Sequence, residues 1–111
     1  MADGIVTLKE RHRRKLERMA KAIVEIDAAL TAYAREHGGR FIRYGSTAKG
    51  QMRSHSDVDI IADFAIEEAG RASTHAEEVC SAHGMPADAR SVAYASPRLL
   101  DRALAEGVVL S

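Results

Sequence analysis

A chain of 111 residues, 46% hydrophobic and 29% charged, has material for one hydrophobic core and not two, in the balance of a folded soluble domain, neither disordered nor membrane-embedded. Sixteen Lys and Arg offset sixteen Asp and Glu, so no whole-molecule field draws it toward nucleic acid or an anionic membrane. The lone cysteine, Cys80, excludes an internal disulfide and a thiolate metal site, and no apolar run has the length of a signal peptide or membrane span, so a cytoplasmic protein is expected.

From Leu8 to His37 the apolar residues Leu16, Met19, Ile23, Ile26, Leu30 and Tyr33 recur in steps of three and four, one stripe of an amphipathic helix. Thr7 is placed to cap its start, with Glu10 at the capping-box position, and Gly38-Gly39 supplies a left-handed stop. At 1.5 Å per residue the helix is roughly 45 Å long, more than so small a domain needs, so its first turns should overhang. Arg40 to Tyr44, aromatic and β-branched, reads as the first strand. Ser46 is placed to cap a short helix over Thr47 to Lys49. A polar loop, Gln51 to Ser56, leads to a second strand, Asp57 to Phe64. A second helix runs from Ile66 to His83 and stops at Gly84, a weaker third strand lies within Ala87 to Tyr94, and Pro97 opens a closing helix that ends at Glu106 and Gly107. One domain over residues 1–111 is expected: an N-terminal helix in 1–38, a strand-helix core in 40–94 and the closing helix in 97–107. The class is α/β (α+β), with about three strands in a small sheet packed against helices.

The chemistry is concentrated between Tyr44 and Asp59. Asp57 and Asp59, two apart on a strand, leave the same face with Cα atoms about 6.5–7 Å apart. Carboxylates so placed repel one another unless a cation lies between them. They suit Mg²⁺, which binds through one or two carboxylates while substrate phosphates and water complete its shell, and a pair of such ions serves in-line phosphoryl displacement. Gly45-Ser46, between a strand and a short helix, allows close backbone approach and offers N–H groups and a hydroxyl to phosphate oxygens.

Gly-Ser, ten residues, then Asp-x-Asp, each after or on a strand, resembles the signature of the DNA polymerase β-like nucleotidyltransferase superfamily. The Gly45-Ser46-Thr47-Ala48-Lys49-Gly50 run and the Ser56-Asp57-Val58-Asp59-Ile60 context look most like its minimal nucleotidyltransferases, often paired with a HEPN-domain protein as a toxin–antitoxin module. The likeness covers Phe41 to Phe64, and more weakly the tail from Ala95 to Leu110. It implies a nucleotidyltransferase fold, Mg²⁺ as cofactor and a nucleoside triphosphate, ATP by family habit, as donor of AMP to an acceptor hydroxyl, with a cognate HEPN toxin as candidate partner. Asp57, Asp59 and a third carboxylate, matched by count to Asp88, would be the metal-binding and catalytic acids; Gly45, Ser46 and Lys49 would bind the nucleotide. Lys49 stands where the family more often has arginine, and Ala89-Arg90-Ser91 follows Asp88 where apolar strand residues are usual. The alternative is a catalytically degenerate antitoxin that acts as a protein-binding module.

Asp63 shares the carboxylate face but reads as an exposed strand end. The run Lys9, Arg11, His12, Arg13, Arg14, Lys15, Arg18 and Lys21 is interleaved with Glu10 and Glu17 and has no aromatic platform beside it, so it reads as a solvated helix face and nucleic acid is not an expected partner. The overhang leaves homo-oligomer formation open. The five histidines form no zinc-type spacing; His55, in the loop before Asp57, is read as a surface residue.

Overall fold

The computed structural model describes residues 7 to 111; the first six residues of the expected N-terminal segment lie outside them. Helix α1 is Leu8–His37. Thr7 Oγ1 accepts the Glu10 N–H at 3.1 Å, and Gly38, at φ 71°, donates its N–H to the Ala34 carbonyl, so both expected caps are present. The stripe is buried at Met19, Ile23, Ile26, Leu30 and Ala34. Every residue from Thr7 to Lys15 is exposed, and the molecule measures 59 × 27 × 17 Å, so the first turns of α1 project from the domain.

The remaining elements are β1 (Arg40–Tyr44), β2 (Val58–Asp63), α2 (Ile66–Ala82), β3 (Ala87–Ser91), α3 (Pro97–Glu106) and β4 (Val108–Leu110). The sheet has four strands in the order β3-β2-β1-β4, one more than expected. β1 pairs antiparallel with β2 and β4, and β2 pairs parallel with β3. Three-residue β4 is too short to show a period of two; its register, Phe41 to Leu110 and Arg43 to Val108, is fixed by a partner more than sixty residues away.

Alternation on the central strands serves two cores. Phe41, Val58, Ile60 and Ala62 meet Ile26 and Leu30 of α1 and Ala72, Ala76 and Cys80 of α2. Ile42 and Ile61 face the other way onto Ala103, with Leu99 and Leu100 beside them on α3. Being covered on both faces, β2 is a near-continuous apolar run interrupted by Asp59. No described helix is long and apolar enough to cross a membrane.

Two local expectations change, and the third strand falls within the range expected for it. The turn after β1 is a 3-10 turn at Gly45–Thr47 with no side-chain cap, so Ser46 lies inside it instead of capping a helix over Thr47 to Lys49. Gly45, at φ 76°, swings the chain out of the sheet, and its carbonyl accepts the N–H groups of Ala48 and Lys49 at 3.1 and 3.2 Å. Strand β2 begins at Val58, leaving Asp57 one residue ahead of it. Residues Val92–Tyr94 form a 3-10 turn, because Ser91 Oγ takes the Ala93 N–H at 3.2 Å and ends β3.

Candidate functional site

Sheet register brings the chemistry together. Tyr44 lies opposite Asp59 across the β1–β2 pair, and Asp59 lies beside Asp88 across the β2–β3 pair, one strand spacing or about 4.8 Å away. All three belong to the face of the sheet that α3 partly covers. Asp57, exposed, precedes the first residue of β2, whose N–H is donated to the Pro86 carbonyl at 2.9 Å; that bond fixes the acid at the mouth of the β2–β3 pair.

Gly45 completes the arrangement. A β-carbon at this position would stand 2.5 Å from Asp59 Oδ2, so the glycine turn is seated directly against the carboxylate. Asp59 is half-buried, and its carboxyl titrates above the usual range, first because burial disfavours the charge and then because Asp88 and Asp57 repel it, with Arg90 opposing. The Tyr44 hydroxyl is also pushed up, mainly by burial, against the pull of Arg90 and with Asp59 and Asp88 adding to the rise. Crowded, incompletely neutralised acids are what a divalent cation relieves.

Of the sequence-predicted residues, Gly45, Asp57, Asp59 and Asp88 therefore share one neighbourhood. Ser46 is half-buried beside Gly45 and its carbonyl closes the turn by accepting the Gln51 N–H at 3.0 Å. Lys49 sits on the α3 flank, its ammonium 2.9 Å from Glu106 Oε2, with Arg102 Nε 3.8 Å from the same oxygen. The Lys49 hydrogen bond is the main reason that the Glu106 carboxyl titrates low. A cavity of about 240 Å³ opens here between Tyr44, Gly45, Lys49, Arg102 and Glu106. Asp63 is not a free strand end: it takes Arg40 Nε at 2.7 Å, at the far end of β2.

The donor set suits one hard cation better than two. Asp57 and Asp59 supply the two carboxylates that Mg²⁺ requires from a protein when phosphates complete its shell. Asp88 Oδ2 accepts Arg90 Nη2 at 2.9 Å, and among the described residues no three His, Cys, Asp or Glu side chains are gathered closely enough to hold a metal ion. Arg90 thus competes with a cation for one of the two Asp88 oxygens. Arg90 Nε is itself buried without a hydrogen-bond partner.

Sequence reasoning missed the group that holds the turn in place. Arg43, with its side chain 6% exposed, donates Nε and Nη2 to the two oxygens of Asp27 at 2.8 and 2.7 Å, and Nη1 to the Thr47 carbonyl at 2.8 Å. The bidentate fork ties α1 to β1 while its third donor pins the end of the glycine turn. The available signal was alternation: Arg43 shares the core face of β1 with Phe41, and a buried guanidinium there needs an acid, which Asp27 supplies from beside Ile26. Arg90, Arg102 and Glu106 carried no such signal.

Comparison with family models, with curated proteins and with solved structures finds no match for the chain.

Proposed function

We propose that the protein is a Mg²⁺-dependent nucleotidyltransferase that moves a nucleoside monophosphate, AMP from ATP, onto an acceptor hydroxyl. The observation that carries this reading is the close approach of Gly45 to Asp59: the Gly45–Ser46 turn and an acid of the Asp57-x-Asp59 pair, fourteen residues apart in sequence, are adjacent in space. The likeness of Gly45-Ser46 and Asp57-x-Asp59 to nucleotidyltransferases supplies the reaction class.

In this reading the Gly45–Ser46 turn and the Ser46 hydroxyl hold phosphate oxygens, and Lys49 adds charge once it exchanges Glu106 for phosphate. Asp57 and Asp59 hold the nucleotide through Mg²⁺, which when bound neutralises phosphate charge and polarises the phosphorus under attack. The acceptor oxygen bonds to the α-phosphorus, the bond from that phosphorus to pyrophosphate breaks, and Asp88 takes the hydroxyl proton. Positioning and charge neutralisation supply most of the acceleration, as in phosphoryl transfer generally. By the same likeness a HEPN-type partner supplies the acceptor, in a cytoplasmic setting.

The Arg90–Asp88 pair favours a second reading, in which the site is degenerate and the chain is an antitoxin acting by contact alone. Incubation with labelled ATP, Mg²⁺ and the product of the adjacent reading frame separates the two. Transfer that Asp57→Asn abolishes is the expected result; transfer that survives the substitution, or none from the unaltered protein, removes the catalytic reading.

A further inference from the structure

The projecting end of α1 concentrates the molecule's positive charge. Between Leu8 and Ala22 lie seven of the sixteen Lys and Arg residues but only two of the sixteen acids, so a chain neutral overall has a strongly basic arm and an acidic body. Arg11, Arg14, Lys15 and Arg18, at helical steps of three and four, line one shallow depression of about 390 Å³ with no other residue type. Among the described residues none of the four has an acid within ion-pair distance; the one pair in this region joins Arg13 to Glu17 at 3.0 Å.

Such an arm is physically expensive. Helices without tertiary packing are marginal in water, and here every residue from Thr7 to Lys15 is exposed among the described residues. Like charges at steps of three and four weaken a helix further. A local arrangement that opposes its own folding, without compensation inside the chain, marks a surface built for a partner.

We propose that this arm binds duplex DNA through its phosphates. A nucleic-acid polyanion turns the repulsion along the stripe into a gain and adds the release of its own condensed counterions, which an acidic protein surface does not supply to the same degree. The arm lacks the apolar face that membrane insertion needs: Leu8 and Leu16 are the only large aliphatic residues between Leu8 and Arg18. A bare helix of about 10–12 Å diameter fits the B-form major groove of about 12 Å but not the narrow A-form groove of duplex RNA. The neutral whole-chain charge, which argues against nucleic acid from composition, averages away this polarity.

The test is fluorescence anisotropy of a labelled random-sequence DNA duplex titrated with the full chain, repeated from 50 to 200 mM salt. Contact by four cations predicts an affinity that falls on the order of a hundredfold across that range. The Arg11→Gln/Arg14→Gln/Lys15→Gln/Arg18→Gln protein is expected to lose binding while melting at the same or a higher temperature, since repulsion along the stripe is relieved. Arg14→Lys/Arg18→Lys is expected to keep binding. The proposal is overturned by no DNA binding at 50 mM salt, by equal binding of the glutamine protein, or by equal or tighter binding of duplex RNA. A salt-sensitive dimer that forms in place of the DNA complex and is lost in the glutamine protein also overturns it, assigning the arm to the acidic body of a second copy.

Discussion

Gly45 backs onto Asp59 so closely that the pair functions as a single packed unit: the left-handed turn exists at φ 76° because residue 45 has no side chain, and the carboxylate takes the space that a side chain would fill. Gly45→Ala therefore incurs two costs, about 1–2 kcal/mol for a left-handed non-glycine residue and a further term for displacing the carboxylate. Gly38 isolates the first, since it has φ 71° with open space where a β-carbon would go. Urea denaturation should show Gly45→Ala more destabilising than Gly38→Ala, and in an Asp59→Ala background the difference should shrink toward zero. Equal costs at the two glycines in the unaltered background would mean that the carboxylate does not press on the turn.

In the proposed reading Asp59 also sets a trade between stability and activity. Burial, Asp88 and Asp57 all disfavour its charge, so Asp59→Asn, which removes the charge and keeps the shape, should raise the melting temperature of the protein in EDTA. The same substitution should lower nucleotidyl transfer by about a hundredfold or more, the scale on which a lost transition-state charge contact is felt. Melting curves with and without Mg²⁺ check the first half: added Mg²⁺ should stabilise the unaltered protein more than Asp59→Asn.

The Arg43–Asp27 fork is a polar contact on which the fold of the glycine turn depends. Arg43 is buried while Asp27 keeps 23% of its side chain exposed, so removing the guanidinium should cost less than the ~3–5 kcal/mol of breaking a fully buried pair. Arg43→Met should therefore be destabilising by denaturant titration, by less than that amount. Arg43→Lys should recover only part of the loss, because an ammonium cannot bridge both Asp27 oxygens and also reach the Thr47 carbonyl. Full recovery by lysine would show that charge alone, and not the fork, holds the glycine turn.

Much of this was legible in the residue order. The helices were, because α1 carries a stripe at Met19, Ile23, Ile26 and Leu30 that nothing but a helix would place on one side, and because Thr7, Gly38 and Pro97 punctuate their ends. The link between Gly45-Ser46 and Asp57-x-Asp59 was legible as a spacing. Contacts made across long stretches of chain were less so: no local pattern announces that β4 pairs with β1, and alternation marks Arg43 as core-facing without naming Asp27, sixteen residues back, as its partner. Asp88 is reached only by counting back from the closing helix, within a weaker strand where Ala89-Arg90-Ser91 replaces the apolar residues usual in the family it resembles. β3 lies at the sheet edge and is covered on one face only: Ala87, Ala89 and Ser91 turn toward the core while Asp88 and Arg90 alternate to the other face, so the strand carries no continuous apolar run.

Cys80 gives a pH signature of the α2 core. It is fully buried among the residues packed on α1 and β2, and burial, with Asp27 and Glu77 adding to it, pushes its thiol up to about 11 from about 9. The folded state thus holds this proton more tightly than the unfolded chain does. The resulting stability is fully present below pH 9 and is lost as pH rises from 9 toward 11, because the unfolded thiol ionises first. Cys80→Ala should start lower, by about 1 kcal/mol for the lost sulfur packing, yet fall less steeply across that window, and the difference between the two curves cancels the lysines and tyrosines that titrate in both. The thiolate is the reactive form, so native protein at pH 8 should resist a thiol reagent that modifies Cys80 at once in guanidinium. Rapid native-state modification at pH 8 would place this side chain outside the core that α1 and α2 build over β2.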